Sequence, residues 1–338
     1  MAVTTGEGET EGLRRGRRGT DVESTPCLHC GSGEADVILC SAVQLSPATG
    51  EVFTFLRCLR CGLVYLSPRP TPEGMAAYYS SDYLPFRGAD AWGRWAPLVR
   101  GAERRMDRAR VRHLTRAVAL STASVVLDVG CGRPSFLASL RDATGATSVG
   151  IDPSDAGWRD DPGSWSDLHL IRGSVQANLS QLAERSAGGF HAITLWHAIE
   201  HEHNPLDLLR QLRSLAAPGA LLVVEVPNLA SLSARLQGSS WGGLHTPRHT
   251  AAYTQSTLAA LLEEAGWKVE RHLRYGTLDP WALWWLGRAA RRGEPLAGSQ
   301  ERRFPGFMAG KVASLPLVLL QRQIPLGLQL ALARSPGG

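Results

Sequence analysis

Four cysteines form two matched pairs, CLHCG at Cys27 and Cys30 and CLRCG at Cys58 and Cys61. The Cys-x-x-Cys spacing allows two thiolates to hold one ion from a tight turn. The segment between the pairs alternates as a β-hairpin does, which would bring the pairs together. This pattern predicts a zinc ribbon over residues 25–67, with Zn²⁺ held structurally in a closed four-thiolate site. Disulfide bonds between the same residues are the alternative.

Five histidines fall into two short stretches that are suited to acid–base chemistry. WHAIEHEHN contains His197, His201 and His203, and WGGLHTPRHTAAY contains His245 and His249. Histidine has a pKa near neutral pH, so it suits the role of general base. Both stretches follow predicted strands. Neighbouring side chains such as those of HEH do not face the same way on a helix, so we predict no second metal site from them.

The stretch VVLDVGCGRPSFLASL, residues 125–140, is a glycine-rich loop between a predicted strand and a predicted helix. Gly130 and Gly132 let a ligand approach the backbone at the edge where open α/β sheets bind small molecules. Asp152 lies 20 residues beyond Gly132, where an acidic side chain accepts hydrogen bonds from ribose hydroxyls. Pro134 is predicted at the first helical position, which tolerates proline. NAD is a competing ligand, disfavoured because Arg-Pro-Ser replaces the dinucleotide fingerprint.

Short apolar runs alternate with helical patterns after Ser124, as βαβ units on a parallel sheet do. The predicted strands are SVVLDVG, SVGID, LHLIRG, FHAITLWHA, ALLVVEVPN, WKVERHLRY and LGLQLALARS, the last as an edge strand. Thr71 and Asn204 are predicted helix N-caps, each followed by proline at the first helical position. Cys40 and Cys131 are interpreted as packing residues.

The motifs LDVGCG, GIDPS, LWHAIEH, PRH and EEAGW occur in this order. On these motifs the chain from about Val125 to its end resembles the class I S-adenosylmethionine-dependent methyltransferases. The resemblance implies an α/β fold with a Rossmann-like seven-stranded sheet and S-adenosylmethionine as cofactor. The residues that it implies for cofactor binding are Asp128, Gly130, Gly132, Asp152, Ser174 and His197. Ser174 stands where many relatives have an aspartate that reads the adenine amino group.

The resemblance also places the second histidine stretch beside the acceptor. His249 is accordingly our first candidate for the general base and His201 the second. The candidate acceptor pocket consists of Tyr78, Tyr79, Tyr83, Trp241, His245 and Arg248. Aromatic surfaces suit sugars and secondary metabolites, so we predict O-methylation of a small-molecule acceptor. Core packing is the alternative for each aromatic residue. A zinc ribbon ahead of this fold is also similar to sugar C-methyltransferases of antibiotic pathways.

The chain divides into four predicted regions. They are a disordered tail (1–24), the zinc ribbon (25–67), a helical linker or lid (68–122) and a methyltransferase domain (123–338) with a helical insertion at about 276–325. The insertion is far longer than a usual hairpin connection, so we predict a lid on the acceptor side. Its residues 281–292, in WALWWLGRAARRG, also have the pattern of a helix that lies on a membrane surface.

The charge pattern and the lengths of the apolar runs exclude several classes of protein. No apolar run is long enough to span a bilayer, and the polar N-terminus lacks the apolar core of a secretory signal, so we expect a cytoplasmic protein. Eight arginines lie between Arg94 and Arg116, but Glu103 and Asp107 interrupt them, which favours a solvent-facing helix over a nucleic-acid site. An RNA methyltransferase that docks through the ribbon and this helix is one alternative. A catalytically inactive cofactor-binding module is the other.

Overall fold

The computed structural model describes residues 21–44, 50–79, 84–186, 188–294 and 296–337. Within these residues the strands are β1 (Val22–Glu23), β2 (Ala35–Ala42), β3 (Val52–Cys58), β4 (Val64–Leu66), β5 (Arg69–Pro70), β6 (Val125–Val129), β7 (Thr147–Asp152), β8 (His169–Arg172), β9 (Phe190–Trp196), β10 (Ala216–Pro227), β11 (Ala251–Ala252), β12 (Lys268–Leu273) and β13 (Leu328–Arg334). The α-helices are α1 (Pro72–Met75), α2 (Leu84–Arg87), α3 (Ala96–Ala117), α4 (Ser135–Thr144), α5 (Leu179–Arg185), α6 (Pro205–Leu215), α7 (Leu232–Gln237), α8 (Gln255–Glu264), α9 (Pro280–Arg291) and α10 (Phe304–Leu319). The 3-10 segments are Ala76–Tyr78, Gly88–Trp95, Pro162–Trp165, Gln176–Asn178, Ile199–His201, Gly238–Ser240 and Glu301–Arg303.

A seven-stranded sheet in the order β12-β13-β10-β9-β6-β7-β8 forms the centre of the fold. Strands β6 to β10 run parallel, whereas β13 is antiparallel to both of its neighbours. This arrangement confirms the predicted Rossmann-like sheet. The prediction that LGLQLALARS is an edge strand is wrong, since β13 lies between β10 and β12. Its Leu and Ala side chains alternate because they pack on opposite, equally buried faces of the sheet.

Helices cover both faces of this sheet. On one face, Leu114 of α3 and Leu137 of α4 pack against Val126. On the other face, Leu209 of α6 and Leu258 of α8 belong to a second core cluster. Strands covered on both faces must be apolar on both faces. For this reason the central strands appear in the sequence as continuous apolar runs.

The region with the paired cysteines forms a second sheet in the order β11-β4-β3-β2. The predicted hairpin between the pairs is present, because β2 and β3 are antiparallel neighbours. Strand β11 comes from the segment after the PRH motif, where Ala251 is paired with Tyr65. Leu63 and Tyr65 also belong to the core cluster that contains Leu258 of α8. Residues 25–67 therefore share a sheet and a core with the rest of the chain.

The start of the described chain differs from the predicted disordered tail. Residues 1–20 of that tail lie outside the described residues. Val22–Glu23 pair with Arg69–Pro70, and Arg69 Nε donates to Glu23 Oε1 at 2.8 Å. The buried guanidinium of Arg69 holds this strand in place, so the tail prediction is wrong for residues 22–23.

Two of the other local predictions are also wrong. Pro134 is the residue before α4 rather than its first helical residue, because its ψ of 31° is not helical. Cys40 is exposed on β2, whereas Cys131 is buried as predicted. The N-cap prediction for Thr71 is confirmed, since its hydroxyl accepts from Gly74 N at 3.1 Å.

The segment before the main sheet and the insertion after β12 form one aromatic layer. The ring of Trp92 lies 5.6 Å from that of Trp285 and 5.3 Å from that of Phe307. Trp95 stacks on Phe304 at a centroid distance of 4.8 Å. The two regions that we interpreted separately as lids thus pack against each other.

The stretch with the membrane-surface pattern, residues 281–292, lies mostly in α9. Leu283 and Gly287 of α9 are buried, and the ring of Trp281 packs against Gly310 of α10. The exposed large apolar side chains of the insertion lie instead on α10 and just beyond it, at Val312, Leu315, Leu317, Leu319, Leu320 and Ile324. Among the described helices, none combines the length and the apolar content that crossing a membrane requires.

Candidate active site

The glycine-rich loop follows β6 and faces the end of β7. Gly130 N donates to Ile151 O at 2.8 Å, and Gly132 N donates to Asp152 Oδ2 at 2.9 Å. Both glycines have positive φ, at 72° and 48°, which is unfavourable for other residues. A Cβ at Gly130 would lie 2.8 Å from the Cβ of Ala198, whereas a Cβ at Gly132 would have no described atom within 4 Å. The loop is therefore tight against the β9 end. At Gly132 it is open on the side where a Cβ would project, whereas the Gly132 carbonyl lies close to Gly157.

Two acidic side chains lie at this edge. Asp128, buried in β6, accepts from the hydroxyl of Thr194 at 2.6 Å, and burial raises its pKa to about 7. Asp152 ends β7 and accepts from Gly132 N and, at 2.8 Å, from Ser154 N. Burial raises the pKa of Asp152, although these two amides partly oppose the shift. A carboxylate has about four acceptor positions, so Asp152 retains capacity for ribose hydroxyls. The open backbone at Gly132 and this carboxylate fit an adenosyl cofactor.

Ser174 follows β8 on the same side of the sheet. The preceding Gly173 N donates to Asp152 O at 2.9 Å, so the ends of β7 and β8 are adjacent. The Ser174 hydroxyl accepts from Ala177 N at 3.2 Å, and its carbonyl accepts from Asn178 Nδ2. The structure thus gives Ser174 a turn-forming role close to Asp152.

His197 lies between two buried carboxylates. It has a positive φ of 58°, and its Nε2 lies 3.0 Å from Glu225 Oε1 while its Nδ1 lies 3.4 Å from Glu200 Oε1. Burial disfavours the charged ring, but the two carboxylates outweigh this and raise the pKa of His197 to about 9. The same pairing lowers the pKa of Glu225 to about 2 despite its burial. His197 is therefore a cation at neutral pH.

Glu225 is a site residue that our sequence reasoning missed. Besides its contact with His197, Glu225 accepts two hydrogen bonds from Thr277. The Thr277 N donates to Glu225 Oε2 at 2.6 Å, and the Thr277 hydroxyl donates to Glu225 Oε1 at 3.0 Å. Its side chain is fully buried in β10. The signal in the sequence is a single charged residue within the apolar run LLVVEVP, since a buried charge requires partners.

His201, His245 and His249 form a compact group, which we call the histidine cluster. The ring centroids of His201 and His249 are 4.5 Å apart, those of His245 and His249 are 4.9 Å apart, and those of His201 and His245 are 5.9 Å apart. One ring nitrogen from each residue lies within 4.8 Å of the other two. A backbone hydrogen bond of 2.8 Å from Thr250 N to Glu200 O joins the two loops that carry these residues. The structure thus brings both predicted base candidates together.

The histidines of the cluster are neutral imidazoles. Burial lowers the pKa of His249 to about 3. Burial and the charge of Arg248 lower the pKa of His245 well below its ordinary value, and burial also lowers the pKa of His201. His249 Nδ1 lies 2.9 Å from Gly243 O, and a carbonyl only accepts, so this nitrogen carries the proton.

Tyr79 connects the helical segment to the histidine cluster. Its hydroxyl lies 3.0 Å from His201 Nδ1. Burial raises the pKa of Tyr79 far above its ordinary value, and the charges of Asp152 and Glu200 raise it further. Tyr79 thus links the segment before the main sheet to the histidine cluster through His201.

The other predicted pocket residues have different surroundings. Trp241 is 1% exposed and donates from Nε1 to Ser233 Oγ at 2.9 Å. Tyr78 is buried against Phe53, and its carbonyl accepts from the guanidinium of Arg248, which also donates to Gln44 O at 2.8 Å. These contacts place the three side chains in the core behind the cluster. Tyr83 lies outside the described residues.

The four paired cysteines also converge. Cys27 Sγ lies 3.4 Å from Cys61 Sγ, and Cys30 Sγ lies 3.5 Å from Cys58 Sγ. All four sulfurs lie within 4.8 Å of one another. These separations exceed a disulfide bond of about 2.05 Å and approach the ~3.8 Å between sulfurs that surround a tetrahedral zinc ion.

Comparisons with known proteins agree with this geometry. A family model described as a methyltransferase domain matches residues 100–272. The ubiquinone biosynthesis O-methyltransferase of Xanthomonas campestris pv. campestris is 30% identical over 167 residues, which are 46% of this chain and 67% of that protein. The protein of the same name from Pseudomonas paraeruginosa is 31% identical over 108 residues, 30% of this chain and 44% of that protein.

Solved structures are similar over more of the chain. The 1,6-didemethyltoxoflavin-N1-methyltransferase of Burkholderia thailandensis aligns with a TM-score of 0.47 at 14% identity, over 82% of this chain and 97% of that one.

The family model spans half of the sequence, and the glycine loop with its two aspartates lies within the matched residues. The chain therefore belongs to the methyltransferase domain family, as a class I enzyme dependent on S-adenosylmethionine.

Proposed function

We propose that this enzyme methylates a hydroxyl group of a small-molecule acceptor and that the acceptor binds beside the histidine cluster. The observation that carries the proposal is the contact of 3.0 Å between Tyr79 and His201, because His201 lies on the segment after β9 in which Ala198 packs against Gly130 of the glycine loop. The name of the Xanthomonas relative, an O-methyltransferase, supports oxygen as the atom that is methylated. A sugar or a secondary metabolite remains our proposed acceptor class.

The residues proposed to hold the cofactor are those at the β6, β7, β8 and β9 ends, namely Asp128, Gly130, Gly132, Asp152, Ser174 and His197. When bound, S-adenosylmethionine supplies a methyl group that is already activated on a sulfonium. The protein then has to orient the acceptor and exclude water, which supplies much of the rate enhancement in such reactions. The open backbone at Gly132 admits the ligand, and the Asp152 carboxylate orients it.

His249 and His201 are the proposed groups that take the hydroxyl proton. With its Nδ1 proton donated to Gly243 O, His249 has a lone pair at Nε2. Its pKa of about 3 keeps it neutral at pH 7 but also makes it a weak base, since general bases work best with a pKa near the working pH. His197 is excluded from this role because it is already protonated.

Tyr79 and His245 are proposed to contact the acceptor directly. Trp241, Tyr78 and Arg248 support the pocket from the core, since each is buried and bonded there. Because different residues line and support the pocket, the lining residues could change with the acceptor while the buried residues behind them keep the fold. Membrane-surface contact, for which we proposed residues 281–292, is better supported by the exposed apolar side chains of α10.

We also propose that Cys27, Cys30, Cys58 and Cys61 hold a structural zinc ion. The support is the separation of 3.4 and 3.5 Å between paired sulfurs, since a closed four-thiolate set leaves no position for substrate. Cys58→Ser should lower the zinc content by one ion per chain in elemental analysis. Because this region shares a core with α8, the same variant should also lower the midpoint of thermal unfolding of the whole chain. An unchanged zinc content would contradict the proposal.

The proposed activity is tested with labelled S-adenosylmethionine and a panel of hydroxylated acceptors. His249→Gln should reduce turnover by about 10²–10⁴-fold, the usual contribution of a positioned acid–base group, with cofactor affinity unchanged in calorimetry. The matched control is His203→Gln, in the same stretch as His201 but bonded to Pro70 O at 3.0 Å, which should retain turnover. Full turnover by His249→Gln would contradict the proposal.

A further inference from the structure

The histidine cluster brings three imidazole rings into mutual contact. His245 and His249 are 8% and 5% exposed, and His201 is half-buried beside them. The prediction from sequence considered only the neighbours in HEH. The structure instead combines His201 from that stretch with His245 and His249 from the loop that contains the PRH motif.

The hydrogen bonds of the cluster leave lone pairs available for a ligand. His249 Nδ1 donates to Gly243 O at 2.9 Å, and His201 Nδ1 lies 3.2 Å from Arg248 O. A carbonyl accepts only, so Nδ1 of His249 carries the proton and its Nε2 keeps a lone pair. His201 Nδ1 also lies 3.0 Å from the Tyr79 hydroxyl; with the proton on Nδ1 it donates to both oxygens, and Nε2 keeps its lone pair. Metal-binding histidines in proteins usually donate their second nitrogen to a carbonyl or carboxylate in this way.

A buried carboxylate adjoins these nitrogens. Glu200 is 1% exposed, and its Oε1 lies 4.0 Å from His249 Nε2. Neither of its carboxylate oxygens meets hydrogen-bond geometry with any residue that the structure describes, although His197 lies within ion-pair distance at 3.4 Å. The buried guanidinium of Arg248 donates away from the cluster, to Tyr78 O and Gln44 O. The carboxylate thus supplies negative charge beside the neutral ring of His249.

We propose that His201, His245 and His249 bind one divalent transition-metal ion of the zinc class, with the Glu200 carboxylate as its charge partner. Three imidazole ligands are a known set for catalytic zinc, and they leave one coordination position for an oxygen ligand. Nitrogens bound to one tetrahedral ion lie about 3.4 Å apart, and one nitrogen from each of the three rings already lies within 4.8 Å of the other two.

The metal site extends the proposed function, and its role in catalysis rests on that function. A hydroxyl oxygen at the open position would lose its proton to solvent more readily, because a bound cation lowers the pKa of a coordinated hydroxyl or water. In the metal-bound enzyme His201 and His249 would act as ligands, so the proton of the coordinated hydroxyl would leave to solvent rather than to either ring. Ion binding itself does not depend on which acceptor is used.

The test is a count of zinc ions on the full chain, loaded in zinc-containing buffer and then dialysed against metal-free buffer. His249→Gln and His245→Gln should each lose one ion per chain relative to the wild type. His203→Gln, the matched control in the same region, should keep the wild-type count. Counts that are equal in the wild type and in both cluster variants would overturn the proposal.

A second measurement needs no variant, so it stands even if the substitutions impair folding. Zinc X-ray absorption on the loaded wild-type chain should show nitrogen ligands in addition to sulfur, because the cysteine site contributes sulfur alone. A purely sulfur environment would overturn the metal proposal. Loss of methylation in the acceptor assay with nitrogen-bound zinc still present would instead count against the proposed function, so the two failures are distinguishable.

Discussion

His197 is predicted to make the stability of this enzyme strongly dependent on pH. Its pKa is raised from 6.5 to about 9 by Glu200 and Glu225. One pKa unit corresponds to about 1.4 kcal/mol, so the charged ring contributes roughly 3 kcal/mol to the free energy of unfolding. A histidine with a raised pKa gives its full contribution below the unfolded pKa of about 6.5 and loses it as pH rises through the folded value, here about 9.

The measurement is chemical denaturation of wild type and His197→Gln at several pH values between 6.5 and 9.5. The difference in unfolding free energy between the two proteins should shrink by roughly 3 kcal/mol across this range. Histidine NMR of the wild type should place the titration of His197 near pH 9, and Glu225→Gln should lower that value. His169→Gln, which changes an exposed histidine, is the control and should follow the wild-type curve. Parallel pH curves for wild type and His197→Gln would refute the reasoning.

Four further predictions concern the loop and the lid. Gly130→Ala should weaken cofactor binding at least tenfold in calorimetry, because its φ is 72° and an added Cβ would lie 2.8 Å from that of Ala198, whereas Gly163→Ala, at an open position, should bind normally. Pro134→Gly should change cofactor affinity less than threefold, because Pro134 lies before the helix, where its missing N–H removes no helical hydrogen bond. Trp285→Ala should cost about 2 kcal/mol of stability and increase proteolysis of the aromatic layer, since its ring packs on two others. Leu319→Asp should weaken sedimentation with anionic vesicles several-fold without changing cofactor affinity, because this side chain is 81% exposed; unchanged sedimentation would argue against membrane contact through α10.

Local patterns in the sequence were sufficient for the main architecture. The strands of the main sheet, the glycine loop and the paired cysteines are all recognisable because periodicity and short spacing act over a few residues. The position of β13 was not recognisable as internal. Its alternation resembles that of an edge strand, although its small Ala side chains are buried as fully as the Leu side chains on the opposite face.

The sequence by itself determined which chemical groups this protein carries and the order of the elements that bear them. The cysteine pairs, the acidic strand ends at Asp128 and Asp152 and the two histidine stretches all follow from residue type and spacing. Only the tertiary structure decided which groups meet. His201 joins His245 and His249 because β11 pairs with β4 and draws the PRH loop to the end of β9. Glu225 meets His197 because β9 and β10 are parallel neighbours, with Glu225 opposite Trp196. Contacts between residues far apart in the chain depend on how whole layers pack, and burial in those layers sets the pKa values on which the chemistry depends.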